Sequence, residues 1–269
     1  MLAIITVVYE NYTVLKDFLN CLEKQSTKKF HVFLVDLSET KEKISFERLE
    51  ATVIEERNKG YSFGVNIGIK EAMKNGFSDF CVINNDVIFK EDFIIKALDV
   101  KAKHPSSIVA GKIYYAKGFE YHKDRYRQKD LGNIIWYAGG KIDWNHALTP
   151  HRGVDEIDRG QFDHPEKIDF ANGALMLFDK TVVDTVGLWN ENYFLYFEDA
   201  DFCVRAKRAK IPLWYEPALV IWHKNAQSTG GSGSKLHQKY QRTSRLRFGL
   251  TYAPFRTKIH LLKNFILGK

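Results

Sequence analysis

The alternation of strand-like and helix-like runs in the first half of this chain constrains its fold more than any other feature. "LAIITVVY" and "FHVFLVDL" are short β-branched and aromatic runs, "ATVIEE" is a weaker one, and "FSDFCVIN" is another. Between the first two, Val14, Leu15, Phe18, Leu19 and Leu22 recur with helical period. "VNIGIKEAMKNG" carries a helical pattern that ends at a glycine, and "EDFIIKALDVKAKH" opens on acids and closes on bases before a proline. Strand, helix, strand, repeated, predicts an α/β fold with a parallel sheet and helices on its faces. Such sheets take ligands at the carboxyl ends of their strands, where strand order reverses. The residues at those ends are Val8 and Tyr9, Asp36, and the triplet Asn84-Asn85-Asp86.

The remainder is less regular. Residues 114–167 are aromatic, charged and rich in histidine, with "WYAGGKIDW" and "HRGVDEIDRGQFDHPE"; their aromatics predict an ordered excursion over one face. Regular signals return with "IDFANGALMLFD", a helix from about Lys180 to Val186, "FLYFEDADFCVRAKRAK" and a strand "ALVIWH". "STGGSGS" reads as a flexible loop, and two basic helical segments follow. An apolar content of 45% over 269 residues supports a full core. No apolar run approaches the ~18 residues of a bilayer span, and "MLAIITVVYE" reads as a first strand instead of a leader peptide. Cys21, Cys81 and Cys203 are odd in number and far apart, the pattern of reduced core thiols in a cytosolic protein. The net charge of +7 is uneven: ten of the 40 basic residues and none of the 33 acids lie from Pro217 to Lys269, leaving 30 bases against 33 acids elsewhere.

Several residues have the chemistry of a site, and each also has a plainer reading. Asp86, ending a buried strand, is a hard oxygen ligand suited to Mg²⁺ or Mn²⁺ on a diphosphate; equally, Asn-Asn-Asp is turn punctuation. Asp36 can accept a hydrogen bond from a nucleobase or cap a turn. "RNKGYSFGVNIGIK" sets Gly60, Gly64 and Gly68 among Asn58 and Asn66 ahead of a helix, which suits either phosphate binding or close helix packing. Glu198, Asp199 and Asp201 sit at a helix start, where acids complement the helix dipole unless one of them lies in a cleft as a general base. His223, ending a strand, is a structural histidine or, if near Asp86, a second metal ligand. No zinc spacing, Ser-His-Asp order or Walker loop is present.

The ordered set "ITVVYEN", "LVDLSET", "NKGYSFGVNIGI", "VINNDV", "FLYFEDADFCVR" and "VIWHKNAQSTGGSGS" resembles the nucleotide-sugar-dependent glycosyltransferases of family 2, over nearly the whole chain. Within that family it is similar to bacterial, rhamnosyltransferase-like members of surface-polysaccharide assembly. The resemblance implies the GT-A fold, a Rossmann-like, mostly parallel sheet flanked by helices. Residues 1–113 would form the nucleotide-sugar-binding half, 114–234 the acceptor-binding and catalytic half, and 235–269 a basic helical extension. It also implies roles. Val8, Tyr9 and Asp36 would face the nucleobase, Asn58, Gly64 and Asn66 the nucleoside and diphosphate, and Asn84 and Asn85 the turn or the sugar. Asp86 and His223 would hold Mn²⁺ or Mg²⁺, Asp199 would be the base with Glu198 beside it, Asn172, Gly173 and Ala174 would line the acceptor site, and residues 228–234 would close over the diphosphate.

Four positions depart from the family pattern. Asn84 stands where a second metal-binding aspartate is common, Asp36 lacks a following Asn-Gly or Asn-Ala, Phe63 replaces a frequent glycine, and Thr243-Ser244 replace Arg-Asn. The implied activity is inverting transfer from dTDP-rhamnose or a UDP-hexose to a glycan or lipid-linked hydroxyl. The competing reading is a nucleotide- or glycan-binding module without catalysis. In the tail, Phe255, Ile259, Leu262 and Ile266 share a helical face, which suits packing on the domain or peripheral contact with an inner membrane surface better than nucleic acid. A cytoplasmic location is expected.

Overall fold

A computed structural model describes residues 1–46, 48–224 and 234–267. The strands predicted from the early runs are β1 (Leu2–Val8), β2 (Phe30–Asp36), β3 (Ala51–Glu55) and β4 (Asp79–Ile83). They alternate with α1 (Tyr12–Glu23), α2 (Tyr61–Lys74) and, after the two-residue β5 (Val87–Ile88), α3 (Phe93–Lys103). The later elements are β6 (Ile108–Tyr115), β7 (Ile135–Tyr137), β8 (Glu166–Lys167), β9 (Leu175–Asp179), α4 (Lys180–Val186), α5 (Glu198–Arg208), β10 (Leu213–His223), α6 (Lys235–Tyr252) and α7 (Phe255–Ile266).

All ten strands form one mixed sheet, ordered β3-β2-β1-β4-β9-β6-β10-β5, with β7 on β6 and β8 on β10. The first four are parallel, and β9 enters antiparallel between β4 and β6. Because β1 is buried on both faces, its apolar run is continuous rather than alternating. α1 covers one face through Val14, Leu15, Phe18, Leu19 and Leu22, the periodic residues, and Asn11 caps its start by accepting from Val14 N.

Register decides which residues reach the working edge. Val8 lies opposite Asp36, so β1 and β2 end together, and with Ile5 opposite Val82 β4 ends about two residues earlier at the same edge. Beyond β4 the chain turns through Asn84-Asn85-Asp86 and crosses over the sheet's end to pair β5 with the tip of β10, where Val87 lies opposite His223. The excursion, residues 116–165, brings Tyr121, Trp136, Thr149 and His151 to this end, while Phe162 O accepts from Tyr215 Oη near the start of β10. Its anchors are buried: Glu120 accepts from Gly118 N and Gly132 N, and Lys112 is paired with Asp158 and Asp163. The last segment packs on the body. In α6, Ser244 Oγ donates to Leu195 O at 2.8 Å, and the fully buried Phe248 stacks on Trp144 at 5.8 Å.

Candidate active site

The carboxyl ends of the strands floor a cleft of about 560 Å³. Its walls include Tyr9, Asn58, Asn84, Asn85, Asp86, Asn172, Gly173, Ala174, Glu198, Asp199 and His223, eleven of the residues given individual roles above. Four others do not line it. Val8 is wholly buried in the core while its neighbour Val7 meets the cleft. The Asp36 carboxylate is buried and accepts from Tyr12 Oη at 2.6 Å and Ser38 N at 2.9 Å, with Lys41 Nζ at 3.6 Å. Gly64 lies where a Cβ would stand 2.9 Å from both Val7 methyls, so its missing side chain lets α2 sit close on β1. Asn66 bridges Trp189 and Glu191, accepting from Trp189 N and donating to Trp189 O and Glu191 Oε1. Residues 228–233, expected over the diphosphate, lie outside the described residues; Ser234 caps α6 by accepting from His237 N.

Of the departures, Thr243 Oγ1 is spent on the Lys239 carbonyl of its own helix, Ser244 on Leu195, and Phe63 lies under Lys59 with Nζ 4.8 Å from its ring centre. None of the three lines the cleft. Asn84 does, and its Oδ1 accepts from Tyr61 Oη at 3.0 Å.

Glu198 and Asp199 owe their position to a strained corner. Tyr196 and Phe197 both have left-handed backbone, φ 68° and 66°, which costs a bulky residue energy and persists only where the surroundings impose it. The corner turns the first residues of α5 into the cleft. Asp199 Oδ2 accepts from Gly173 N at 2.9 Å, and Oδ1 from Ala200 N at 2.8 Å. Burial outweighs these bonds and pushes its carboxyl up to about 6. Glu198 is driven well above the usual carboxylate range by burial and by the Asp199 charge, and its Oε2 has no hydrogen-bond partner among the described residues. Two adjacent acids are thereby separated, with Glu198 neutral and Asp199 the group that ionises near neutrality.

A stability test follows from the sign of the Glu198 shift. A native carboxyl that holds its proton more tightly than the unfolded chain stabilises the fold fully below the unfolded value, 4.5, and loses that contribution as pH rises toward the folded value. Glu198→Gln has no such proton, so its melting temperature should gain on the wild type from pH 5 to pH 8, by about 2–4 °C per kcal/mol relieved. A difference that does not change with pH would contradict the assignment.

Asp86 and His223 meet across the β5–β10 pair, with Nε2 3.1 Å from Asp86 Oδ1 and both side chains buried. The approach is not a hydrogen bond, and neither ring nitrogen of His223 has a hydrogen-bond partner among the described residues. Trp136 packs on the imidazole at 4.5 Å, and Lys224 N donates to Asp86 O at 2.8 Å, fixing the turn. A buried imidazole with two unsatisfied nitrogens beside a carboxylate is suited to a divalent cation. Among the described residues no third His, Cys, Asp or Glu joins them. Asp86 and His223 are the described residues that would hold Mn²⁺ or Mg²⁺ here.

Among the cleft residues that the sequence reading did not single out, three hold the site's other groups in place. Tyr61 donates to Asn84, and burial among carboxylates raises its phenol well above its ordinary range, keeping it a donor. His151 is held neutral, its imidazole lowered to about 4 by burial. Its Nδ1 lies 3.1 Å from Trp136 O, which can only accept, so Nδ1 carries the proton and Nε2 accepts from Asn172 Nδ2 at 3.2 Å. Asn172 Oδ1 in turn accepts from Ala174 N, which orients the Gly173 amide toward Asp199. Trp136 is the third. Trp136 and His151 lie in the segment marked as aromatic and histidine-rich and Tyr61 in the glycine series, but no periodicity in either reports which ring points inward.

A family model described as glycosyltransferase like family 2 matches residues 2–245. The chain belongs to that family. This family-2 chain is 24% identical over 155 residues to the low-salt glycan biosynthesis hexosyltransferase Agl10 of Haloferax volcanii, covering 57% of the chain and 45% of Agl10. Its fold is shared with GalNAc-T7, solved with UDP, GalNAc and Mn²⁺, at TM-score 0.64 and 16% identity over 91% of the chain and 48% of that structure. It is also shared with the mannosyltransferase PcManGT of Pyrobaculum calidifontis, in complex with GDP-Man and Mn²⁺, at TM-score 0.54 and 14% identity over 99% and 70%. The chain thus spans about half the length of the first two relatives, 45% and 48%. The mixed sheet flanked by helices is the GT-A architecture expected from the motifs.

Proposed function

We propose that the protein is an inverting glycosyltransferase that moves a sugar from dTDP-rhamnose or a UDP-hexose to a hydroxyl of a glycan or lipid-linked acceptor in bacterial surface-polysaccharide synthesis. The observation that carries this reading is Asp199: a carboxylate held by two backbone amides at a strained corner, in the same cleft as the Asp86–His223 pair. The printed descriptions of the relatives, a hexosyltransferase and two enzymes solved with a nucleotide or nucleotide sugar and Mn²⁺, support it. A cytoplasmic setting belongs to the same proposal.

In this reading Asp199 takes the proton of the acceptor hydroxyl, and the acceptor oxygen bonds to the anomeric carbon from the face opposite the diphosphate. The bond from that carbon to the diphosphate oxygen breaks, the electron pair leaves with the diphosphate, and the configuration inverts. Glu198, neutral and adjacent, donates a hydrogen bond on the acceptor side. His151 and Asn172 hold Gly173 so that Asp199 faces the cleft. Tyr9, Asn58 and Asn85 border the donor side, while Tyr61 fixes the Asn84 amide. Asp86 and His223 would hold Mn²⁺ or Mg²⁺, which supplies charge stabilisation to a departing diphosphate.

A thermal-shift screen with UDP, dTDP and GDP in the presence of Mn²⁺ tests the donor side. One of them, at about a hundred times its Kd, should raise the melting temperature by roughly 5–10 °C. No shift with any of the three would sink the reading. A binding module without catalysis would show the same shift yet release no nucleoside diphosphate from the matching nucleotide sugar.

A further inference from the structure

The two faces of α7 are used differently. Thr257 and Leu261 are buried, and Leu261 sits against Gly249 of α6, where any larger residue would collide with it. Successive helical residues turn by about 100°, which gathers Phe255, Ile259, Leu262 and Ile266 into an arc of about 60° on the far side. They are exposed by 78%, 53%, 42% and 80%. Lys258 flanks this stripe on one side, and Arg256 and Lys263 flank it on the other. At the helix end, Arg242 of α6 stacks on Phe265 at 4.8 Å and donates to its carbonyl, so the helix is fixed to its neighbour with the stripe outward.

Charge selects among the occupants such a stripe could take. From Pro217 to Lys269 there are ten basic residues and no acid. Two copies meeting through this face would bring cation against cation with no counter-charge in the segment. A nucleic acid would meet the charges but leave four large apolar side chains in water. An anionic bilayer satisfies both, since apolar side chains sink below the headgroups while flanking Lys and Arg stay at phosphate level. No helix among the described residues is long and apolar enough to cross a membrane, so the contact is one of lying on the surface. We infer that α7 docks the protein on an anionic lipid surface, with Phe255, Ile259, Leu262 and Ile266 immersed and Arg256, Lys258 and Lys263 at the headgroups. The start of α6, through Leu236, His237 and Tyr240, lines the cleft, so one helical hairpin joins cleft and docking face. That link favours a lipid-linked acceptor, and this last step alone rests on the transferase reading.

Flotation of the full chain with vesicles reads the surface without donor or acceptor, so its failure and failure of the transferase reading are separable. The chain should float with phosphatidylcholine vesicles containing phosphatidylglycerol, stay behind with phosphatidylcholine alone, and be released by about 0.5 M salt. Phe255→Ser with Ile266→Ser should lower the partition coefficient at least about ten-fold. Lys258→Glu with Lys263→Glu should remove the phosphatidylglycerol dependence. Phe255, Lys263 and Ile266 are exposed and Lys258 is half-buried, and an unchanged circular dichroism spectrum checks that the variants fold. The proposal is overturned if the chain fails to float with anionic vesicles, or if the Phe255/Ile266 variant floats like the wild type. Self-association or salt-sensitive DNA binding that these substitutions abolish, without vesicle binding, also overturns it.

Discussion

Asp199→Asn is expected to lower turnover by roughly 10²- to 10⁴-fold while the nucleotide-induced thermal shift survives. The substitution keeps the size of the side chain and removes the proton acceptor. It also leaves one acceptor oxygen for the two amides, Gly173 N and Ala200 N, that now bond both carboxylate oxygens. An amide left unsatisfied costs about 1–3 kcal/mol, so the thermal shift serves as the control that the donor side is intact. The pH profile supplies a second readout. With its carboxyl raised to about 6, Asp199 is protonated and inactive as a base below that pH and ionised above it. Wild-type turnover should therefore rise through about pH 6, and the residual turnover of Asp199→Asn should lack that limb. Turnover within ten-fold of wild type in the variant would remove Asp199 from the role of base.

Asp86→Asn is the second large effect. Asn84 stands where another aspartate would share the charge, and among the described residues no further acidic ligand converges, so in the proposed site Asp86 would contribute the one carboxylate toward a cation. A neutral amide in its place weakens a hard divalent ion's hold, and electrostatic stabilisation of this kind is worth several kcal/mol. At 1.36 kcal/mol per decade, kcat/KM at fixed Mn²⁺ should fall on the order of 10²- to 10³-fold, with the Mn²⁺ requirement moved to higher concentration. Chelation should abolish wild-type turnover, and added Mn²⁺ should restore it. His223→Ala should show the same shift in Mn²⁺ requirement, because its unsatisfied ring nitrogens lie beside Asp86 Oδ1. Full turnover of the wild type after chelation would discard the metal altogether.

Much of the architecture was legible because local patterning reports burial. The period of Val14, Leu15, Phe18, Leu19 and Leu22 defined α1 and its inner face, and the apolar runs defined the parallel strands whose ends face the cleft. Motif order brought forward Asp86, Asp199 and His223, and the structure sets all three around one cavity. The same signals misplaced others. A glycine that admits a ligand and one that admits a neighbouring strand look alike in sequence; Gly64 is of the second kind, against Val7. Asp36 ends its strand at the expected edge, yet Tyr12 and Ser38 occupy its oxygens.

What the sequence by itself determined is which segments are strands and helices and at which edge polar residues accumulate, because alternation and period are set by nearest neighbours along the chain. Tertiary structure alone decided which of those residues meet. Asp86 and His223 are 137 positions apart and touch because β5 crosses the sheet's end to pair with β10. Tyr61, Trp136 and His151 enter the cleft through contacts with Asn84, His223 and Asn172. The strained corner at Tyr196 and Phe197, on which Asp199 depends, is imposed by packing that no local preference would select.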